Sequence, residues 1–146
     1  MPNLDYCHLK VFGSDFQAKN FSDDMNILNA KILYREKNYP RSPVTALKLG
    51  RVSTWKTPKA YFSHDGVTNP FKIYLNEERF MLNFLKKFYE LQKILLPYKN
   101  ETVEIYFSAI YTASVEEKST GVYFGVELIE ALCKLEASIS TEVIFE

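Results

Sequence analysis

A chain of 146 residues and 17.0 kDa has the length of one domain, so a single globular domain over 1–146 is expected. Its 47% apolar content can fill a core and excludes a disordered chain, while eighteen basic against eighteen acidic residues leave no net field to hold a nucleic-acid backbone. No apolar run approaches the roughly 18 residues of a membrane-spanning helix, and Met1-Pro2-Asn3-Leu4-Asp5 lacks the basic and apolar regions of a secretory leader, so a cytoplasmic protein without membrane or nucleic-acid partners is expected.

Residues 6–12 alternate, with Cys7, Leu9 and Val11 on one side and Tyr6, His8, Lys10 and Phe12 on the other, which predicts a half-buried first strand. Gly13-Ser14-Asp15 breaks it. Ser22-Asp23-Asp24 reads as a helix start, with a cap and acids in the first turn, and predicts a short helix over 22–29. Lys31–Arg35 reads as a second strand, followed by the turn cluster Asn38–Pro43. Two short strands, Gly50–Lys56 and Ala60–Ser63, follow, and His64-Asp65-Gly66 closes the second with a turn.

From Glu77 to Leu96, Phe80, Phe84, Phe88, Leu91 and Leu95 recur at intervals of three and four, with Met81, Leu85 and Ile94 widening the stripe. This predicts one amphipathic helix capped by Asn76, with Glu77 and Glu78 at its positive end and Pro97 as its stop. Lys86, Lys87, Glu90 and Lys93 fall on its wet face. A long strand over 102–113 alternates Val103, Ile105, Phe107, Ala109 and Tyr111 against Glu104, Tyr106, Ser108, Ile110 and Thr112. After the polar hinge 116–120 and Gly121, a helix over 126–137 places Ile129, Leu132 and Cys133 on one face beside Leu128 and Leu135, and Ile139, Thr141, Val143 and Phe145 alternate as a closing strand. The order predicts the α/β (α+β) class: a single mixed, mostly antiparallel sheet with two main helices and one short helix packed against a face.

Cys7 and Cys133 are too few for a disulfide framework and read as two reduced, buried thiols; with only His8 and His64 beside them, no metal site or other cofactor is expected. Glycine-rich phosphate loops, His-Glu-x-x-His and Gly-x-Ser-x-Gly are all missing, which leaves nucleotide, metalloprotease and serine-hydrolase chemistry unsupported. His8 faces away from Cys7 on the predicted strand, so the two do not form a nucleophile pair. His64 beside Asp65 is the better acid–base candidate, with Asp65 orienting the imidazole, although turn formation alone accounts for Asp-Gly. Trp55 among Arg51, Lys56 and Lys59 reads more as a packed indole fringed by solvated cations than as a base-stacking site.

Leu9-Lys10-Val11-Phe12-Gly13-Ser14-Asp15-Phe16 at the start, Gly50 followed by Trp55, and the ending from Gly121 through Glu127-Leu128-Ile129 and Leu132 to Glu142-Val143 stand in the order of a known pattern. Together they resemble a bacterial family of small proteins, domain-of-unknown-function family 4279, across nearly the whole chain. The resemblance implies an α/β sandwich and no known activity; by analogy, small bacterial proteins of this kind are often immunity proteins that block a toxin by binding it.

Twenty-two aromatic residues, ten of them tyrosines, supply amphipathic contact area. The leading expectation is thus a non-enzymatic binding protein of the bacterial cytoplasm, an immunity protein that neutralises a cognate toxin. Its contact anchors are Tyr34, Trp55, Tyr61 and Tyr106, with Tyr6. Two alternatives stand beside it: a small-molecule-binding protein or enzyme with a pocket near His64-Asp65, and a self-associating subunit whose edge strand pairs with its copy, so that the protein is a monomer or a homodimer.

Overall fold

The computed structural model describes residues 2–35, 52–116 and 121–146. Six strands form a mixed sheet: β1 (Asn3–Ser14), β2 (Lys31–Arg35), β3 (Val52–Lys56), β4 (Ala60–Tyr61), β5 (Glu104–Ala113) and β6 (Ala137–Phe145), in the order β2-β3-β1-β5-β6 with β4 paired to β1. Among the described residues four helices accompany it: α1 (Ala18–Met25), α2 (Pro70–Lys86), α3 (Leu91–Leu95), which runs into a 3₁₀ turn over Leu96–Tyr98, and α4 (Val126–Leu135). This is the expected α/β class. The predicted turn at Asn38–Pro43 and most of the hinge 116–120 lie outside the described residues.

The described residues group into two compact units. One draws on Met1–His8, Lys59–Tyr89 and Phe107–Glu146, the other on Leu9–Pro58 and Glu90–Tyr106. In the second unit β3 pairs antiparallel with both β1 and β2, with Val11 opposite Trp55 and Ile32 opposite Trp55. Leu9 and Val11 are buried on the face the alternation assigns to the core. Phe12 is buried as well, against expectation, because the Tyr106 ring stacks on it at 5.3 Å and closes that face too. Gly13 is where the chain must come close: a Cβ there would sit 2.9 Å from the Val103 Cα.

Helix α1 begins four residues earlier than the sequence signals indicate, so Ser22, Asp23 and Asp24 occupy its end rather than its start. The reason is Phe21, which is fully buried between Phe16 and Trp55 and must sit inside the helix to reach them. Acids at the C-terminal end of a helix oppose its dipole, and here the Tyr98 hydroxyl donates to the Asp24 carboxylate. Asn26 ends the helix in the left-handed conformation, its N–H shared between the Ser22 and Asp23 carbonyls.

In the first unit, α2 starts at Pro70 rather than Glu77. Asn69 caps it, accepting from the Phe71 and Lys72 N–H groups, and Pro70 occupies the first position, where its missing donor is harmless. Glu77, Met81, Phe84 and Leu85 form its buried stripe. The continuous helix expected to Leu96 is interrupted after Lys86; Phe88 still packs on Phe84 at 5.1 Å, and the chain restarts as α3, whose Leu91 and Leu95 are buried in the second unit. On α4 the buried residues are Leu128, Leu132 and Leu135. Ile129 and Cys133 are exposed, so the inward face is turned from the expected one, and Cys133 is not the buried thiol its apolar neighbours predict.

Glu146 donates to the Ala113 carbonyl at 3.0 Å and accepts from the Val115 N–H at 3.2 Å. One residue bonding two partners spaced two apart is the mark of parallel neighbours, and α4 supplies the crossover that parallel strands require. Strand β6 ends the sheet order, and only Ala137 and Val143 along it are half-buried.

Candidate functional site

The residues singled out by sequence separate into three environments. Tyr34 and Tyr61 are exposed, at 51% and 64%, as contact residues must be. Tyr61 lies across from Tyr6 in the β1–β4 pairing, their rings 5.3 Å apart, and the Lys59 ammonium sits 4.5 Å over the Tyr6 ring. Tyr34 borders an open hollow of about 350 Å³ with Asp15, Gln17, Asn20 and Ser53. Tyr106 is half-buried on Phe12, with Lys10 5.5 Å from its ring centre. Trp55 is fully buried and offers nothing to a partner, which corrects its place among the contact anchors. Strand β3 points it into the second unit, where the Phe21 ring meets it edge-on at 5.0 Å.

The His64-Asp65-Gly66 turn forms, with Asp65 and Gly66 both at positive φ, as two-residue turns of this composition allow. Asp65 does not orient the imidazole. Its carboxylate accepts from the Ser63 hydroxyl at 3.1 Å, and the carboxylate nearest His64 is that of Glu77, 3.9 Å from Nε2. Neither ring nitrogen of His64 has a hydrogen-bond partner among the described residues, while Phe62 closes on the ring edge-to-face at 4.9 Å.

Glu77 is the group that sequence reading misplaced most. Expected in the first turn of its helix, it lies in the middle of α2, is only 6% exposed, and accepts a hydrogen bond from the Leu4 N–H of β1. Burial pushes its carboxyl above the usual carboxylate range, and the Leu4 bond opposes that shift. The surroundings respond in kind. Burial raises the Tyr111 hydroxyl, with Glu77 and Cys7 adding to the rise. Burial also raises Tyr74, helped by its bond to Glu78, and pushes the Cys7 thiol up to about 12, which leaves that thiol protonated and inert. Pro2, Tyr74 and Glu77 border a cleft of about 110 Å³. The cluster brings a buried carboxylate within 3.9 Å of an imidazole, but its thiol is no nucleophile.

A concavity of different character lies along the seam where α2 packs on α4. It is a groove of about 340 Å³ floored by Leu82, Leu85, Ala131 and Leu135. The small Ala131 side chain leaves the space that a larger residue would fill. Four charged residues line the groove: Glu127 and Glu130 from the first half of α4, Lys134 from its last turn and Lys86 from the end of α2. Tyr89, 77% exposed, completes the lysine end. The helical stripe reading marked Lys86 as wet but could not show the groove, because a groove needs the second helix and its rotation.

Among the described residues, no three His, Cys, Asp or Glu side chains gather to hold a metal ion. No family model, curated protein or solved structure matches the chain. The resemblance to family 4279 therefore rests on the motifs quoted above.

Proposed function

We propose that this protein acts by binding another protein, and that its partner is a toxin it neutralises in the bacterial cytoplasm. The observation that supports the reading is the α2–α4 groove, an apolar floor between charged side chains that make no ion pair among the described residues. Apolar floors with polar rims are the anatomy of interfaces. Tyr89, Tyr61 and Tyr34 add exposed aromatic area of the type that dominates contact energies.

Affinity capture from bacterial cells, with wild-type bait beside a Leu82→Glu/Tyr89→Ala bait whose fold is checked by circular dichroism, tests it. One partner captured near one-to-one by the wild type and lost with the variant is the expected result, followed by inhibition of that partner's activity by the purified protein. A partner that ignores the variant, or no partner at all, overturns the groove as the binding site.

A second reading, a small-molecule site at His64, is favoured by one observation: a buried carboxylate and an imidazole with unpartnered nitrogens stand 3.9 Å apart. A ligand screen by thermal shift, repeated on His64→Ala, checks it. A ligand that raises Tm in the wild type alone supports this reading.

A further inference from the structure

The charges along the α2–α4 groove are sorted, and the sorting defines what fits. Gly125, just ahead of α4, lies so close to the Glu78 carboxylate of α2 that a Cβ would collide with it. Both helices run on from that contact along one groove, so the acids of α4 come first and the lysines come last. Glu127 and Lys134 are seven residues apart, about 10 Å along the helix axis at roughly 1.5 Å per residue. Glu130 and Lys134 stand at the four-residue spacing that best favours an ion pair. Even so, none of the four charged groups has an ion-pair partner among the described residues, and all are exposed. Their charges are available to something outside this chain.

We infer that the groove takes an amphipathic helix of a partner protein, about two turns of which lie between its charged ends. Its apolar stripe rests on Leu82, Leu85, Ala131 and Leu135, its basic end lies beside Glu127 and Glu130, and its acidic end lies beside Lys86, Lys134 and Tyr89. The inference rests on the protein-binding reading and gives that partner its chemistry. The seam between two packed helices offers apolar side chains from both, which suit the apolar stripe of a third helix. A wholly basic or wholly acidic helix meets like charge at one end of the groove, whereas a helix with segregated charge meets none.

Three synthetic helical peptides with the same apolar stripe test this by fluorescence anisotropy at low and at physiological salt. One carries lysines in one half and glutamates in the other, one lysines throughout, and one glutamates throughout. The segregated peptide is expected to bind about tenfold more tightly than either uniform one, a margin that several exposed pairs of modest strength supply together, and to lose part of that margin as salt rises. In the folded double variant Lys86→Glu/Lys134→Glu, the preference moves to the all-lysine peptide.

Equal binding of the three peptides overturns the sorting of charge while leaving an apolar protein-binding groove. No peptide binding, with capture of a full-length partner still lost in the Leu82→Glu/Tyr89→Ala bait, overturns the helical occupant alone. No peptide binding and no groove-dependent partner overturn both readings.

Discussion

Strands β5 and β6 are neighbours in the sheet and look alike in sequence, each alternating large apolar residues with smaller or polar ones. Their environments differ completely. In β5 the alternating set Ile105, Phe107, Ala109, Tyr111 and Ala113 is buried, and Ser108 and Ile110 on the opposite face are buried as well. In β6, Ile139 is 39%, Ile144 40% and Phe145 47% exposed. Alternation sets which side chains share a face; position in the sheet order decides whether either face is covered. A strand at the end of the order keeps its pattern and loses its cover.

Breaking the comparison at its strongest point means removing a β5 side chain. Phe107, fully buried with Phe84 against it at 6.2 Å, is expected to cost about 3–5 kcal/mol as Phe107→Ala in urea denaturation. Second in size is Gly13→Ala. The new methyl meets the Val103 backbone, which cannot swing aside as a side chain can, and about 1–3 kcal/mol of stability is lost.

Third is Glu77→Gln, which tests the electrostatic cover around the β5 residue Tyr111. Burial raises the Glu77 carboxyl in the folded protein, so the folded state prefers the protonated form more than the unfolded chain does. Its contribution favours folding at low pH and is lost as pH rises from the ordinary carboxylate value, about 4.3, through the raised one. The amide keeps an oxygen for the Leu4 N–H and removes the charge. Melting scans should therefore show a flatter pH dependence in the variant, with its Tm above the wild type's at neutral pH. A variant that tracks the wild type at every pH shows that Glu77 is solvated. Smallest of all is Ile139→Ala on β6, expected to change stability by less than about 1 kcal/mol. A loss comparable to that of Phe107→Ala shows that β6 is covered in solution.

Much of this was legible from periodicity. The strands that became β1, β2, β3 and β5, the turn at His64-Asp65-Gly66 and the helix before Ile139 all follow from local pattern. What escaped was rotation and range. The inward face of α4 is Leu128, Leu132 and Leu135 rather than Ile129 and Cys133, because several apolar faces coexist on one short helix and packing selects among them. The start of α2 carries a local signal in Asn69-Pro70, a cap followed by proline at the first position, which lies seven residues ahead of the expected cap Asn76. The partnership of Glu77 with Leu4, 73 residues away, leaves no trace in spacing. Trp55 shows the same limit: its basic neighbours in sequence described its edges, while Phe21 on another element determined its burial.

The two cysteines, unequal in exposure, give the protein a built-in clock. Cys133 on α4 is open to solvent, and Cys7 on β1 is enclosed with its thiol pushed up to about 12. A thiol-specific reagent should therefore titrate one equivalent at once and the second only as fast as the first unit opens around β1. The slow phase counts excursions from the native state under conditions where the folded form is the only one visible to bulk spectroscopy. The fast one gives a single attachment point for a dye on the helix that forms one wall of the groove.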